Sequence, residues 1–167
     1  MGQVDGCVSS ELTACLDHGL PARTVYTIGF TRKSLRQFVG LLLEAGVDAI
    51  IDVRLRNRSQ LAGFAKQDDL AFLLREGFGI EYEHCPDLAP TPEILDAYKA
   101  GDAWSAYEGA FLCLLEERQA TSIGQRILSR YQRPCLLCAE PAPDRCHRRL
   151  VAEWWLGRLP DLCVIHL

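Results

Sequence analysis

Asp48-Ala49-Ile50-Ile51-Asp52-Val53 is the stretch that decides the fold. A continuous apolar run between acidic residues reads as a strand buried on both faces, as parallel sheets require. Working backwards, Thr24–Gly29 (TVYTIG) is a second strand ending in Gly. Between them Ser34 opens a helix with Gln37 three residues on, a capping box. Leu35, Phe38, Val39 and Leu42 then share one face, and Gly46 stops the run.

Working forwards, Asp68 begins a helix closed by Gly77, and Ile80–His84 is a short strand. Thr91-Pro92 starts another helix with Pro at its first position. Asp102 begins one that carries Trp104, Tyr107, Phe111 and Leu114 on one face, and Ile123, Ile127 and Tyr131 mark a further short one. Pro134–Cys138 is a strand, Cys146 to about Leu159 a helix, and Leu162–Leu167 a last strand. Strands alternating with helices predict one three-layer α/β domain over residues 23–167. Its mainly parallel sheet has about five strands, with helices on both faces. Residues 1–22 show no clear period and read as an N-terminal arm.

The 167 residues suit one domain with a sizeable core. No apolar stretch is long enough to cross a bilayer, and no secretory signal is legible, so the expected compartment is the cytoplasm. The net charge of −4 gives the whole molecule no general attraction for nucleic acid. Arg outnumbers Lys fifteen to three, and clusters at 54, 56 and 58 and again at 145, 148 and 149. The guanidinium fork suits carboxylate or phosphate. The eight cysteines are expected to be reduced, with Cys113 and Cys163 as core filler.

Ligands of such sheets bind beyond the carboxyl ends of the strands, which selects the loops after Val53, His84 and Cys138. The last of these, C138-A-E-P-A-P-D-R-C-H-R-R149, is the most unusual stretch. Asp144 is placed to cap the following helix, so that three Arg and His147 crowd its amino end, where cations are disfavoured. The compensating negative charge is either internal, from Asp52, Glu140, Asp144 or Glu153, or a bound anion. Cys146, at a helix start among cations, is expected to have thiolate character. Cys138 reads more readily as an inert strand residue than as a site thiol.

Asp52 and Arg54 lie two apart on one strand face. Asp52 is a candidate general base and Arg54 a candidate anion clamp, and the plainer alternative is a structural pair, for instance Asp52 with Arg148. A metal site from Cys138, Cys146, His147 and His84 is a further alternative, although Cys135 and Cys138 point to opposite faces of a strand.

Several of these motifs together resemble a known family. I-D-V-R54, Ser59, Phe64, G-I-E-Y82, Tyr98, Trp104, Tyr107, L-L-C-A-E140 and P-x-x-C-H-R148 are similar to the bacterial and archaeal domain-of-unknown-function family 488, over about residues 24 to 155. The resemblance implies shared polar residues rather than a reaction: Asp52, Arg54, Ser59, Cys138, Glu140, Cys146, His147 and Arg148. Two departures stand out. Asn57 and Gln60 replace a Pro before and an Arg after the Ser, and Leu88-Ala89-Pro90 replaces Leu-Gly-Gly. The I-D-V-R strand and a strand-end Cys also suggest rhodaneses and cysteine phosphatases. Those enzymes, however, follow the Cys with free amides, whereas Pro141 and Pro143 each remove one here.

Three functions follow from these residues. The first is an enzyme or binding domain for a phosphate- or carboxylate-bearing ligand, with a nucleotide or nucleic-acid end as the class to test first. In it Asp52, Glu140, Cys146 and His147 are catalytic, and Arg54, Ser59, Cys138 and Arg148 bind. The second is a metal or thiol-redox protein using Cys138, Cys146 and His147. The third is a non-catalytic interaction module. The adjacent Trp154 and Trp155 suggest that one ring lies off the core, free for a subunit contact.

Overall fold

The computed structural model describes residues 23–167. The expected N-terminal arm lies outside the described residues. Five strands form one sheet: β1 (Arg23–Gly29), β2 (Ala49–Asp52), β3 (Glu81–His84), β4 (Pro134–Cys138) and β5 (Leu162–His166). They lie in the order β3-β2-β4-β1-β5, and every pairing is parallel. The mainly parallel three-layer sheet read from the sequence is therefore the one that forms.

Strand periodicity sends alternate side chains to the two faces. On one face Tyr26, Ile28, Ile50 and Leu137 pack against α1 (Leu35–Glu44) and α2 (Gln67–Phe72) through Phe38, Leu42 and Leu70. On the other, Val25, Ile51 and Leu136 meet four helices: α3 (Pro92–Lys99), α4 (Trp104–Glu117), α5 (Ala120–Arg130) and α6 (His147–Leu156). No helix among the described residues is long and apolar enough to cross a membrane.

Local signals place several helix starts. The Ser34–Gln37 capping box forms, and the Thr91 side chain accepts from the Ile94 amide ahead of Pro92. Other starts move. Lys66, not Asp68, precedes α2, which runs into a wider π turn over Leu73–Gly77. Ala103 rather than Asp102 precedes α4. The segment expected as loop after Arg54 contains a 3-10 helix, Gln60–Ala65, capped by Ser59.

Both adjacent tryptophans are buried, so neither ring is free for a subunit contact. The Trp155 indole donates to the Ala120 carbonyl at 2.8 Å and the Trp154 indole to Thr121 Oγ1 at 3.2 Å. The close approach of α5 makes this packing possible. A Cβ on Gly124 would sit 2.7 Å from the Trp155 ring. Cysteines 85, 113, 135, 138 and 146 are free, whereas Cys163 is disulfide-bonded, a departure from the expectation of reduced thiols throughout. Cys113 is exposed on α4 rather than core filler.

Candidate functional site

The carboxyl ends of β2 and β4 carry two polar clusters on opposite faces of the sheet. Asp52 follows Ile50 towards the α1/α2 face and is fully buried. Arg54 grips it with both arms of its fork, Nε to Oδ1 at 2.8 Å and Nη2 to Oδ2 at 2.7 Å. The Arg54 amide adds a third bond at 3.1 Å, Asn57 Nδ2 donates at 3.0 Å, and the Tyr82 hydroxyl donates to Oδ2. Arg54 Nη2 also donates to the Ala65 carbonyl at 2.8 Å, and its guanidinium lies 5.1 Å from the centre of the Phe30 ring.

Burial pushes the Asp52 carboxyl up, but hydrogen bonds and charge from Arg54, with Tyr82 and Asn57, outweigh it and hold the group below its ordinary range. The same burial and the Asp52 charge push the Tyr82 hydroxyl up, so it stays a donor. Asp52 thus pairs with Arg54 and not with Arg148. Its lone pairs are filled from four directions, which leaves it no room to act as a base.

The second cluster faces the α3–α6 side. Cys138 Sγ lies 3.6 Å from His147 Nδ1, and the other ring nitrogen, Nε2, is 2.7 Å from the Val53 carbonyl. A carbonyl only accepts, so Nε2 carries a proton, and Nδ1 is the ring nitrogen turned to the sulfur. The ring edge packs on Phe111 at 5.7 Å between centroids. Cys146 Sγ completes a group of three soft donors, all within 4.8 Å of one another.

Arg148 closes this cluster from below and is fully buried. Its Nη1 donates to the Glu140 carbonyl at 2.5 Å and lies 3.3 Å from Cys146 Sγ. Nη2 reaches the Pro141 carbonyl at 3.5 Å, and Nε reaches Thr27 Oγ1 at 3.4 Å. Among the described residues it pairs with no carboxylate. Gly29 at the end of β1 makes room for the loop: a Cβ there would meet the Glu140 carbonyl oxygen at 1.7 Å.

The thiols rank opposite to the sequence expectation. The neighbouring Cys146 thiol, the Glu140 and Ala139 amides and the Arg148 charge lower the Cys138 pKa against the opposing effect of burial. Cys138 and burial in turn raise that of Cys146, against His147. The helix-start rule fails at Cys146 because this residue is the extended N-cap itself, ahead of the first helical turn. Asp144, expected to cap α6, makes no such bond. Arg149 turns away to Glu153 at 2.9 Å, the internal compensation one turn along the helix.

A cavity of about 310 Å³ opens over this cluster. Cys138, Cys146 and His147 line it at one end. Tyr98, Trp104 and Tyr107 supply an aromatic wall, with the Trp104 and Tyr107 rings stacked at 5.0 Å. Arg56, Lys99 and Arg145 supply charge, as does Glu140, the lone carboxylate among the lining residues. Arg54 also contributes to the lining, with its charge already engaged by Asp52.

Asp52, Ser59 and Arg148 do not line the cavity. Ser59 is exposed and caps the Leu61 amide at 3.2 Å. His84 stands apart from the three soft donors because its Nε2 is 2.9 Å from the Arg54 carbonyl. Sequence reasoning named Arg56 and Arg145 in its arginine clusters and Tyr98, Trp104 and Tyr107 among the family motifs, but assigned none of them to the site and passed over Lys99.

Compared with known proteins, the sequence matches the family described as "Domain of unknown function DUF488" over residues 34–155. No curated protein and no solved structure matches it.

Proposed function

Because the chain belongs to the DUF488 family, a domain of unknown function, we propose its role from its own site: the cavity binds a small anion that carries a planar ring. One observation carries this reading. Arg56, Lys99 and Arg145 converge on one cavity and make no ion pair among the described residues, while Glu140 is the sole lining carboxylate. In a chain of net charge −4 such a local excess of cations favours an anionic ligand.

The aromatic wall adds the second half of the specificity. Rings stack on planar groups without demanding a particular edge pattern, which suits a nucleobase or similar heterocycle. The volume lies at the small end of ligand pockets, roughly 300–1,000 Å³. A mononucleotide or one nucleotide of a strand end therefore fits better than a larger cofactor. Within this reading Glu140 is the carboxylate placed to move a proton, and the Cys138–Cys146–His147 end receives the reacting part of the ligand. Asp52 and Arg148 hold the loops that shape the cavity rather than touching the ligand, and Arg54, which lines it, has its charge engaged by Asp52.

The test is a binding comparison between inorganic phosphate, adenosine and adenosine monophosphate, followed by Trp fluorescence and by amide shifts of Ala139 and Glu140. The monophosphate is expected to bind more tightly than either part alone, and to weaken as salt is added. If none of the three perturbs the amides at millimolar concentration, the anion reading is wrong.

A further inference from the structure

We propose that Cys138, Cys146 and His147 hold one thiophilic divalent cation of the zinc class, with a fourth coordination position open to the cavity. Their three donor atoms already lie within 4.8 Å of one another. Bond lengths of about 2.3 Å to sulfur and 2.0–2.1 Å to nitrogen at a tetrahedral angle put the two donors about 3.6 Å apart. The Cys138 Sγ to His147 Nδ1 separation is 3.6 Å.

The surroundings match a metal ligand set as well as the spacing does. Histidine ligands are oriented by a hydrogen bond from the other ring nitrogen to a carbonyl or carboxylate. His147 Nε2 makes that bond to Val53 at 2.7 Å, which leaves Nδ1 as the donor. The sulfur ligands bind as thiolates, so their charge needs a local balance. Arg148 stands 3.3 Å from Cys146 Sγ, buried and without a carboxylate partner among the described residues.

Charge counting then says what the fourth position takes. Two thiolates, a dication, a neutral imidazole and the Arg148 guanidinium sum to one net positive charge in a buried place. A single anion entering from the cavity neutralises it and completes a four-coordinate shell. Three protein ligands with one open position is the pattern of catalytic rather than structural zinc. This last step, and only this step, rests on the anion reading of the cavity.

The experiment uses the full chain under reducing conditions, first with cobalt(II) and then with zinc(II). The expected result is one cobalt per chain with thiolate-to-cobalt charge-transfer absorption, displaced by one equivalent of zinc. Cys138→Ser and His147→Gln should each lower affinity by at least the roughly 10–100-fold that loss of a second-shell partner costs. If those variants do not fold, the wild-type chain still decides the matter. Zinc should protect Cys138 and Cys146, but not the exposed Cys113, from iodoacetamide.

Cobalt bound without the thiolate band, less than one metal per chain, or alkylation unchanged by zinc would each overturn the site. Phosphate binding that survives in a chain unable to take cobalt would sink the metal and leave the anion cavity standing. Cobalt bound through thiolates with no response to any anion would support the metal centre and remove the anion reading.

Discussion

The two strand-end clusters share one ingredient, a buried arginine among polar neighbours, yet they are built to opposite ends. Arg54 meets a carboxylate with both arms, and that carboxylate is filled again by Asn57 and Tyr82. Arg148 meets two carbonyls, a hydroxyl and a sulfur, and no carboxylate among the described residues. The first cluster is closed in charge and in hydrogen bonds, so it can only hold the β2 loop in place. The second retains one uncancelled positive charge beneath two thiols that line an open cavity. A buried ion without its counter-ion costs free energy unless something supplies the missing charge. That imbalance, rather than the presence of arginine, separates a site from a scaffold.

The sharpest way to break this contrast is to open the closed cluster. Asp52→Ala leaves Arg54 buried and unpaired, and should cost about 3–5 kcal/mol in urea unfolding. Adding Arg54→Met should restore part of that loss, because an apolar side chain removes the stranded charge. A cost below about 0.5 kcal/mol, the range of an ordinary surface change, would show that the cluster is not structural.

Its pH signature has a definite sign. The folded carboxyl titrates below its ordinary value of 3.8, so its contribution is complete above that value and is lost as the pH falls through the lower folded one. Wild-type stability should therefore fall with an extra slope below pH ~4. Asp52→Asn, which removes the titrating group, should lack it.

A middle-sized effect tests whether the second cluster depends on backbone packing. Gly29→Ala places a Cβ 1.7 Å from the Glu140 carbonyl oxygen and 3.1 Å from Arg148 Nη1. Overpacking of this kind costs about 1–3 kcal/mol. The Glu140 carbonyl must move, and with it the strongest anchor of Arg148, so amide exchange should speed up at Ala139 and Glu140. The Tyr82 hydroxyl, on the far face of the sheet, should keep its partner. Equal loosening of both faces would mean that the clusters form one unit.

How much of this is legible in the residues follows the range of the forces involved. The sheet is legible because Ala49–Ile51 and Pro134–Cys138 are apolar runs that only a doubly covered parallel sheet buries. The Ser34 and Thr91 helix starts are legible because a cap is made within four residues. The start of α6 is not. Asp144 looks like the cap, but the path of the 139–145 segment is set by Arg148 reaching the Glu140 carbonyl and by the bare backbone of Gly29, contacts the local sequence does not announce. The same long-range placement reverses the two thiols, since Cys138 gains its stabilising neighbours only after the loop returns over it. Asp52 was visible as an unusual residue at a strand tip. That its lone pairs are consumed by Tyr82 and Asn57 depends on β3 and on the loop five residues along the chain.

The smallest effect on stability is the one that most sharpens the contrast in function. Arg56 and Arg145 are exposed at the cavity, as is Lys99 at the end of α3, and none has an ion pair among the described residues to lose. Replacing all three with Ala should leave unfolding within about 0.5 kcal/mol per site. If the cavity takes an anion, the triple variant must bind phosphate more weakly and lose much of the salt dependence, because the screened long-range attraction has been removed. The two clusters then separate cleanly: one set of charges is essential for folding and irrelevant to ligand, the other the reverse. Equal phosphate affinity in wild type and triple variant would instead make the rim a solvated surface, and would reduce the difference between the clusters to one of stability alone.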